Sequence, residues 1–274
     1  MSIYKIAKQQ LTLIMRSKWL GSFGMLFALL AVFVTYFGNS GQSGYTGFSR
    51  MTASLLNLNL LLIPLIALLI GSLFIAGEKE DRGLILLLTY PVSVKSVLVG
   101  KYIGLFLSLW SVITFGYGAA AIVMFIGNAD TSISVMFLFY FLSLLLAVFY
   151  LALSMMIGLW SRTRFQALGM SLIVWAISVL FYEFIVMGLS IFVAKEWILT
   201  IMSISIFLNP VELIRVWAIL SLDGASVFGP NLYDLTVWAN NWIGQCLFVI
   251  ASLLWVTLPF YFSHLFVKRR IGNE

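Results

Sequence analysis

Six stretches of the chain are apolar for long enough to cross a bilayer: residues 19–37, 52–76, 102–127, 133–159, 167–193 and 238–266. A span takes about 20 mostly apolar residues at about 1.5 Å rise each. Helices are the predicted form, because lipid offers backbone N–H and C=O groups no partner. A further run, Trp197–Leu208, is too short to span and stops at Asn209-Pro210, a turn signal. It predicts a re-entrant or interfacial helix. Ahead of the first span, Ile3, Ile6, Ala7, Leu11 and Ile14 recur at helical spacing, while Lys5, Lys8 and Arg16 are polar. That pattern predicts an amphipathic helix over residues 1–18 in the headgroup layer, against the plainer alternative of a basic tail. The expected fold is an all-α integral membrane domain over residues 1–274. It has six transmembrane helices, an N-terminal amphipathic helix, short helices on the cytoplasmic face and an outer re-entrant hairpin over 194–237.

The basic residues orient this arrangement. With the N-terminus inside, thirteen fall in inner segments (Lys5, Lys8, Arg16, Lys18, Lys79, Arg82, Lys95, Lys101, Arg162, Arg164, Lys268, Arg269 and Arg270) and three outside (Arg50, Lys195 and Arg215). That excess sets both termini in the cytoplasm. Counting Trp197–Leu208 as a seventh span would put Lys268–Arg270 outside and break the rule. Composition agrees: 62% of residues are hydrophobic, 9% are charged, and mean hydropathy is +1.07. A soluble domain carries about 25% charged residues, so lipid must be the main solvent here. The net charge of +6 does not indicate nucleic acid, since the cations sit in short clusters between apolar runs. The N-terminus is charged and then apolar, like a signal peptide. Trp19–Phe37, however, exceeds the h-region of about 7–15 residues and is expected to be retained. One cysteine, Cys246, and one histidine, His264, exclude an intrachain disulfide and a His/Cys metal cluster.

The loops carry the candidate chemistry. The inner loop 77–101 reads GEKEDRGLILLLTYPVSVKSVLVGK. It opens on a charged cluster, Glu78, Lys79, Glu80, Asp81 and Arg82, expected to face water. An apolar run Leu84–Leu88, a break at Thr89-Tyr90-Pro91 and a second run Val92–Val99 follow before Lys101. This predicts two short helices along the inner membrane surface. A connector needs only about 2–8 residues, so the design suits docking of a soluble partner or, alternatively, packing under the bundle. The outer loop 38–49 is rich in Gly and Ser and is expected to be flexible. It lacks GxGxxG, and GxxxxGK[ST] occurs nowhere, so this chain binds no ATP by a P-loop.

Gly77-Glu78-Lys79-Glu80-Asp81-Arg82-Gly83, followed by Leu86-Leu87-Leu88-Thr89-Tyr90-Pro91-Val92-Ser93, resembles the GExExGT…LLLSxPVSR signature of ABC type-2 (exporter) permeases. Two departures stand out: Leu84 replaces the usual threonine, and Val94-Lys95 follows where the family has Arg. The resemblance covers the whole chain. Within the class the chain looks closest to the permeases of the ABC system that matures the copper sites of nitrous oxide reductase. The LLLTYP form of the loop, an acid late in span five (Glu183) and the Asn209-Pro210-Val211-Glu212-Leu213-Ile214-Arg215 element carry that likeness. The family is one of mechanical transducers in the bacterial cytoplasmic membrane, without an active site or cofactor of their own. ATP and Mg are held by a separate cytoplasmic ATPase subunit. The resemblance implies ATPase coupling through Glu78, Glu80, Asp81, Arg82, Leu86, Leu87, Leu88, Tyr90 and Pro91, and through Ser161, Arg162 and Arg164 of the next inner loop. It also implies a homodimer and an outer copper-system partner. Glu196, Asn209, Pro210, Glu212, Arg215 and Asp223 are the residues expected to meet that partner. An ABC exporter of another substrate, a drug, peptide or lipid-like molecule, is the alternative.

Within the spans, Glu183 is the one acid. It is either a functional site in the outer half or a carboxylate that reaches outer water or pairs with Lys195 or Arg215. Asn57 and Asn59 are expected to share that outer polar region, and Pro64 should kink span two. Gly100/Gly104 and Ser154/Gly158 are small-xxx-small pairs that permit close helix packing. The methionines are scattered and read as packing or lipid-facing residues. No HExxH, GxSxG or paired intramembrane carboxylates indicate a membrane enzyme. A single membrane acid and no clear repeat argue against an ion-coupled carrier.

Overall fold

A computed structural model describes residues 3–38, 50–88, 92–126, 133–222, 237–239 and 241–271. Among them the chain is helical, with no strand. The elements are α1 (Ile3–Met15), α2 (Lys18–Gly38), α3 (Arg50–Glu80), α4 (Gly83–Leu88), α5 (Val94–Ile126), α6 (Ile133–Trp160) and α7 (Arg164–Trp175). A π-helical turn (Ala176–Phe181) joins α7 to α8 (Tyr182–Phe192). Then come α9 (Lys195–Leu208), α10 (Pro210–Ser221) and α11 (Trp242–Ile271). Among the described residues, six helical stretches are long and apolar enough to span: Lys18–Phe37, Thr52–Glu80, Val94–Ile126, Ile133–Trp160, Arg164–Phe192 and Trp242–Lys268; Thr200–Leu208 and Pro210–Ser221 reach that measure only as a pair, bent by 110°, as a broken span or a re-entrant loop does. The outer loop 38–49, apart from Gly38, and most of the polar stretch 221–235 lie outside the described residues.

The bundle is built around α3, whose Leu60, Ile63, Ala67, Leu68 and Ile70 are buried. Small residues let α6 approach it closely. A Cβ at Gly71 would overlap Ser154 Oγ, and one at Gly158 would stand 2.9 Å from the Ser72 carbonyl. Dispersion between close backbones replaces the hydrophobic drive that lipid removes. Pro64 lies inside α3 without ending it. Its missing N–H frees the Leu60 carbonyl, and Trp175 Nε1 donates to the neighbouring Leu61 carbonyl at 2.9 Å.

The amphipathic reading of the N-terminus needs one change. α1 buries Ile6, Ala7, Gln10 and Ile14, whereas Ile3 is exposed and Leu11 half-buried. The stripe meets α5 where Gly100 and Gly104 open room: a Cβ at Gly104 would touch the Ala7 carbonyl at 2.7 Å. Gln10 belongs to the buried stripe because its Oε1 accepts from Lys101 Nζ at 3.3 Å.

Two expectations for the inner loop are corrected. Span two does not end at residue 76: α3 runs on to Glu80, so the charged cluster starts on a helix. Val92–Val99 is not a separate short helix either, because Val94 onward forms the first turns of α5. Val97 and Leu98 are buried in the core. Lys101, the expected end of the inner loop, is buried and ion-paired with Glu78. A neutralised cation gives the helix no reason to break for water.

Candidate functional site

The first group of predicted residues gathers where α3, the α6–α7 turn and the start of α5 meet. Glu78 reaches Lys101, while Glu80 and Asp81 turn toward the α6–α7 turn. Arg164 Nη2 donates to Asp81 Oδ2, and Arg164 Nε lies 3.8 Å from Glu80 Oε2. The Arg164 backbone N–H also donates to Glu80 Oε2, at 2.9 Å. Lys79 Nζ donates to the carbonyls of Leu159 and Ser161, at 2.5 Å each, capping the C-terminal end of α6. Residues about eighty positions apart are thereby clamped into one body. Gly77 makes the clamp sterically feasible, since a Cβ there would lie 2.7 Å from Arg164 Nε. The sequence gives no local signal for this pairing, because the partners are brought together by α3 lying against α6 and α7.

The remaining residues of that group divide by exposure. Arg82 turns the chain between α3 and α4 with φ of 58°, a left-handed conformation uncommon outside glycine. Leu86 is 65% exposed on α4, whereas Leu87 packs partly against the core. Ser161 is buried and donates to the Ile157 carbonyl at 2.8 Å. Arg162 is exposed, and its N–H donates to Gln166 Oε1 at 2.8 Å. Thr163 caps α7 by accepting from the Gln166 N–H. Tyr90, Pro91 and the side chain of Leu88 lie outside the described residues.

The second group forms at the predicted hairpin. α9 and α10 meet at Asn209-Pro210 with a bend of 110°. Asn209 holds this bend in two ways. Its Oδ1 accepts from the Val211 N–H at 2.9 Å, capping α10, and its Nδ2 donates to the Ser178 carbonyl at 2.7 Å. Ser178 lies in the π turn, whose wider hydrogen-bond pattern releases carbonyls to outside donors. Tyr150 OH donates to Ser178 Oγ at 2.9 Å, and Tyr182 OH donates to the Ser205 carbonyl at 2.7 Å. On the other flank, Trp255 Nε1 donates to the Phe207 carbonyl at 3.1 Å. The hairpin tip is therefore fastened between span five and α11.

Beside it, Arg215 is ion-paired with Glu183 and lies 3.1 Å from Glu212. Of the readings open for Glu183, pairing with Arg215 is the one seen. One guanidinium thus serves two carboxylates and ties α10 to the start of α8. Asn57 and Asn59 have different surroundings. Asn57 is exposed, whereas Asn59 is buried and donates to Tyr117 OH at 2.6 Å. Tyr117 OH also lies 2.8 Å from Ser143 Oγ. The two asparagines are two positions apart, so a helix aims them to different sides. Tyr117 and Ser143 escaped the sequence reading because a lone Tyr or Ser in an apolar run carries no pairing signal. Glu196's side chain and Asp223 lie outside the described residues, as does Asp234. No group of three His, Cys, Asp or Glu fit for a metal ion occurs among the described residues.

Comparison with known proteins agrees with this architecture. The model of the ABC-2 family transporter proteins matches residues 4–269. A Pseudomonas aeruginosa protein named "Probable ABC transporter permease protein NosY" is 33% identical over 260 residues, covering 92% of this chain and 94% of that one. A Stutzerimonas stutzeri protein of the same name is 28% identical over 275 residues, covering 98% and 99%. With six spanning helices and a family match along nearly its whole length, the chain belongs to the ABC-2 family and is a permease subunit of an ABC transporter.

Proposed function

We propose that this permease receives its drive from a separate ATPase docked on α4, the start of α5 and the α6–α7 turn, and works in copper-site maturation of nitrous oxide reductase. The clamp of Arg164 on Glu80 and Asp81 carries the reading. It turns two loops into one surface, so a push on α4 reaches α3 and α7 together as rigid helices. ATP and Mg belong to the ATPase, since this chain has no phosphate-binding loop. The basic-residue excess supports a cytoplasmic position for this end and for both termini, and the relatives support a bacterial inner membrane.

A second copy completes the transporter. Span five supports this, because Ile173, Ile177, Phe181 and Phe184 stand exposed along it. The NosY names of the relatives support the copper-system role. Under it, an outer partner meets the hairpin through Glu212, Arg215 and residues around Asp223 and Glu196. The test is Leu86→Asp on α4. Co-purification with the cognate ATPase and stimulated ATP hydrolysis should both fail while membrane insertion persists. Normal assembly and turnover in that variant would sink the docking surface.

A further inference from the structure

We propose that a crevice on the α1 side of the bundle binds one phospholipid with a primary-amine headgroup, a phosphatidylethanolamine. Its volume is about 490 Å³, inside the range of about 300–1,000 Å³ of ordinary small-molecule sites. α3 forms the back wall, the α1–α2 elbow one flank and the first turns of α7 the other. The inference concerns a ligand of the permease itself and stands apart from ATPase docking and from the copper-system role.

The chemistry of the crevice is sorted by depth. Glu78, Asp81 and Arg164 line one end, with Ser17 beside them. Away from that end the wall is apolar, with Ile70, Leu73 and Phe74 on α3 facing Phe23 and Leu168. From Glu78 to Ile70 is eight residues, or about 12 Å along a helix. One leaflet contributes about 15 Å, half of the bilayer's hydrocarbon core. The crevice therefore has the polarity order, and takes the length, of a lipid's headgroup and upper acyl chains in their own leaflet. A soluble ligand would leave the deep wall unmatched. Trp19, 59% exposed at the rim, is the residue type that settles at headgroup level.

The polar end selects the headgroup. Lys101 neutralises Glu78, and Arg164 is shared by Glu80 and Asp81, so the rim offers a net-anionic lipid no cation that is not already paired. Glu78 Oε2 is taken by Lys101, but Oε1 is buried without a hydrogen-bond partner. Such an acceptor is costly until a donor arrives. An ethanolamine ammonium brings three N–H donors; a choline headgroup brings none. Arg164, with five N–H donors, and Ser17 are placed to meet the phosphate.

The test uses the full-length chain, reconstituted in bilayers of equal parts phosphatidylethanolamine, phosphatidylcholine and phosphatidylglycerol, then released into mild detergent for native mass spectrometry. The expected result is one retained phosphatidylethanolamine per chain, with about tenfold less of either other lipid. Leu73→Trp fills the crevice and leaves its ion pairs alone. It should cut that retention about tenfold at an unchanged melting temperature. Leu168→Trp serves if the first variant does not fold. Equal retention of all three lipids, preference for the anionic lipid, or indifference to both tryptophans would overturn the proposal. So would absence of retained lipid, the result expected if a second copy closes the crevice.

Discussion

Replacing Lys101 with methionine is the sharpest test of how the α1 end of the bundle is held together. Lys101 has 5% of its side chain exposed, and its partner Glu78 has 22%. Its ammonium also serves Gln10 Oε1 on α1. Methionine keeps the length and apolar stem but removes the charge. It leaves a half-buried carboxylate without its cation and Gln10 with no bond from Oε1, while Gln10 Nε2 is already unpaired. Breaking a buried pair from one side costs about 3–5 kcal/mol. Water reaches part of Glu78, so the lower figure, about 3 kcal/mol, applies. At about 2–4 °C per kcal/mol, the melting temperature in detergent should fall by about 6–12 °C. Protease should also reach α1 sooner, since one of its polar anchors is gone. The double variant Lys101→Met/Glu78→Met should regain most of the loss, because two apolar partners leave no stranded charge. If Lys101→Met melts within about 2 °C of the parent, or the double variant is no better than the single, the pair does not organise this end.

The hairpin bend and the close α3–α6 approach can be tested in the same way. Asn209→Ala removes both the α10 cap and the bond to the part-buried Ser178 carbonyl and should destabilise by about 2–3 kcal/mol. Asn209→Asp keeps the cap and should cost less than the alanine variant, with hydrogen exchange at the hairpin reporting the difference. Gly158→Ala should destabilise by about 1–3 kcal/mol, because its Cβ meets Ser72 backbone at 2.9 Å. Gly118→Ala, with nothing within 4 Å, should be neutral in the same thermal assay.

Hydrophobic pattern along the chain was enough to locate the six spans found among the described residues and the break at Asn209-Pro210. Burial in lipid is decided residue by residue along one helix, so run length and mean polarity suffice to locate a span. The stop at Asn209-Pro210 and the Glu212–Arg215 pairing are equally local, one a cap and the other an i,i+3 contact. What the polar residues do follows from packing. Lys101 reads as the cation that ends an inner loop, yet it is buried inside α5 because Glu78, 23 positions earlier, neutralises it. Arg164 has no sequence neighbour that would announce Glu80 and Asp81; it finds them because Gly77 lets it lie across α3. The π turn in span five follows from no propensity of Ala176–Phe181. What exists there is a set of outside partners, Asn209 and Tyr150, for the groups that turn exposes. Hydrophobic pattern fixes which residues enter the membrane, but the pairing of the few polar groups inside depends on which helices become neighbours, and only packing settles that.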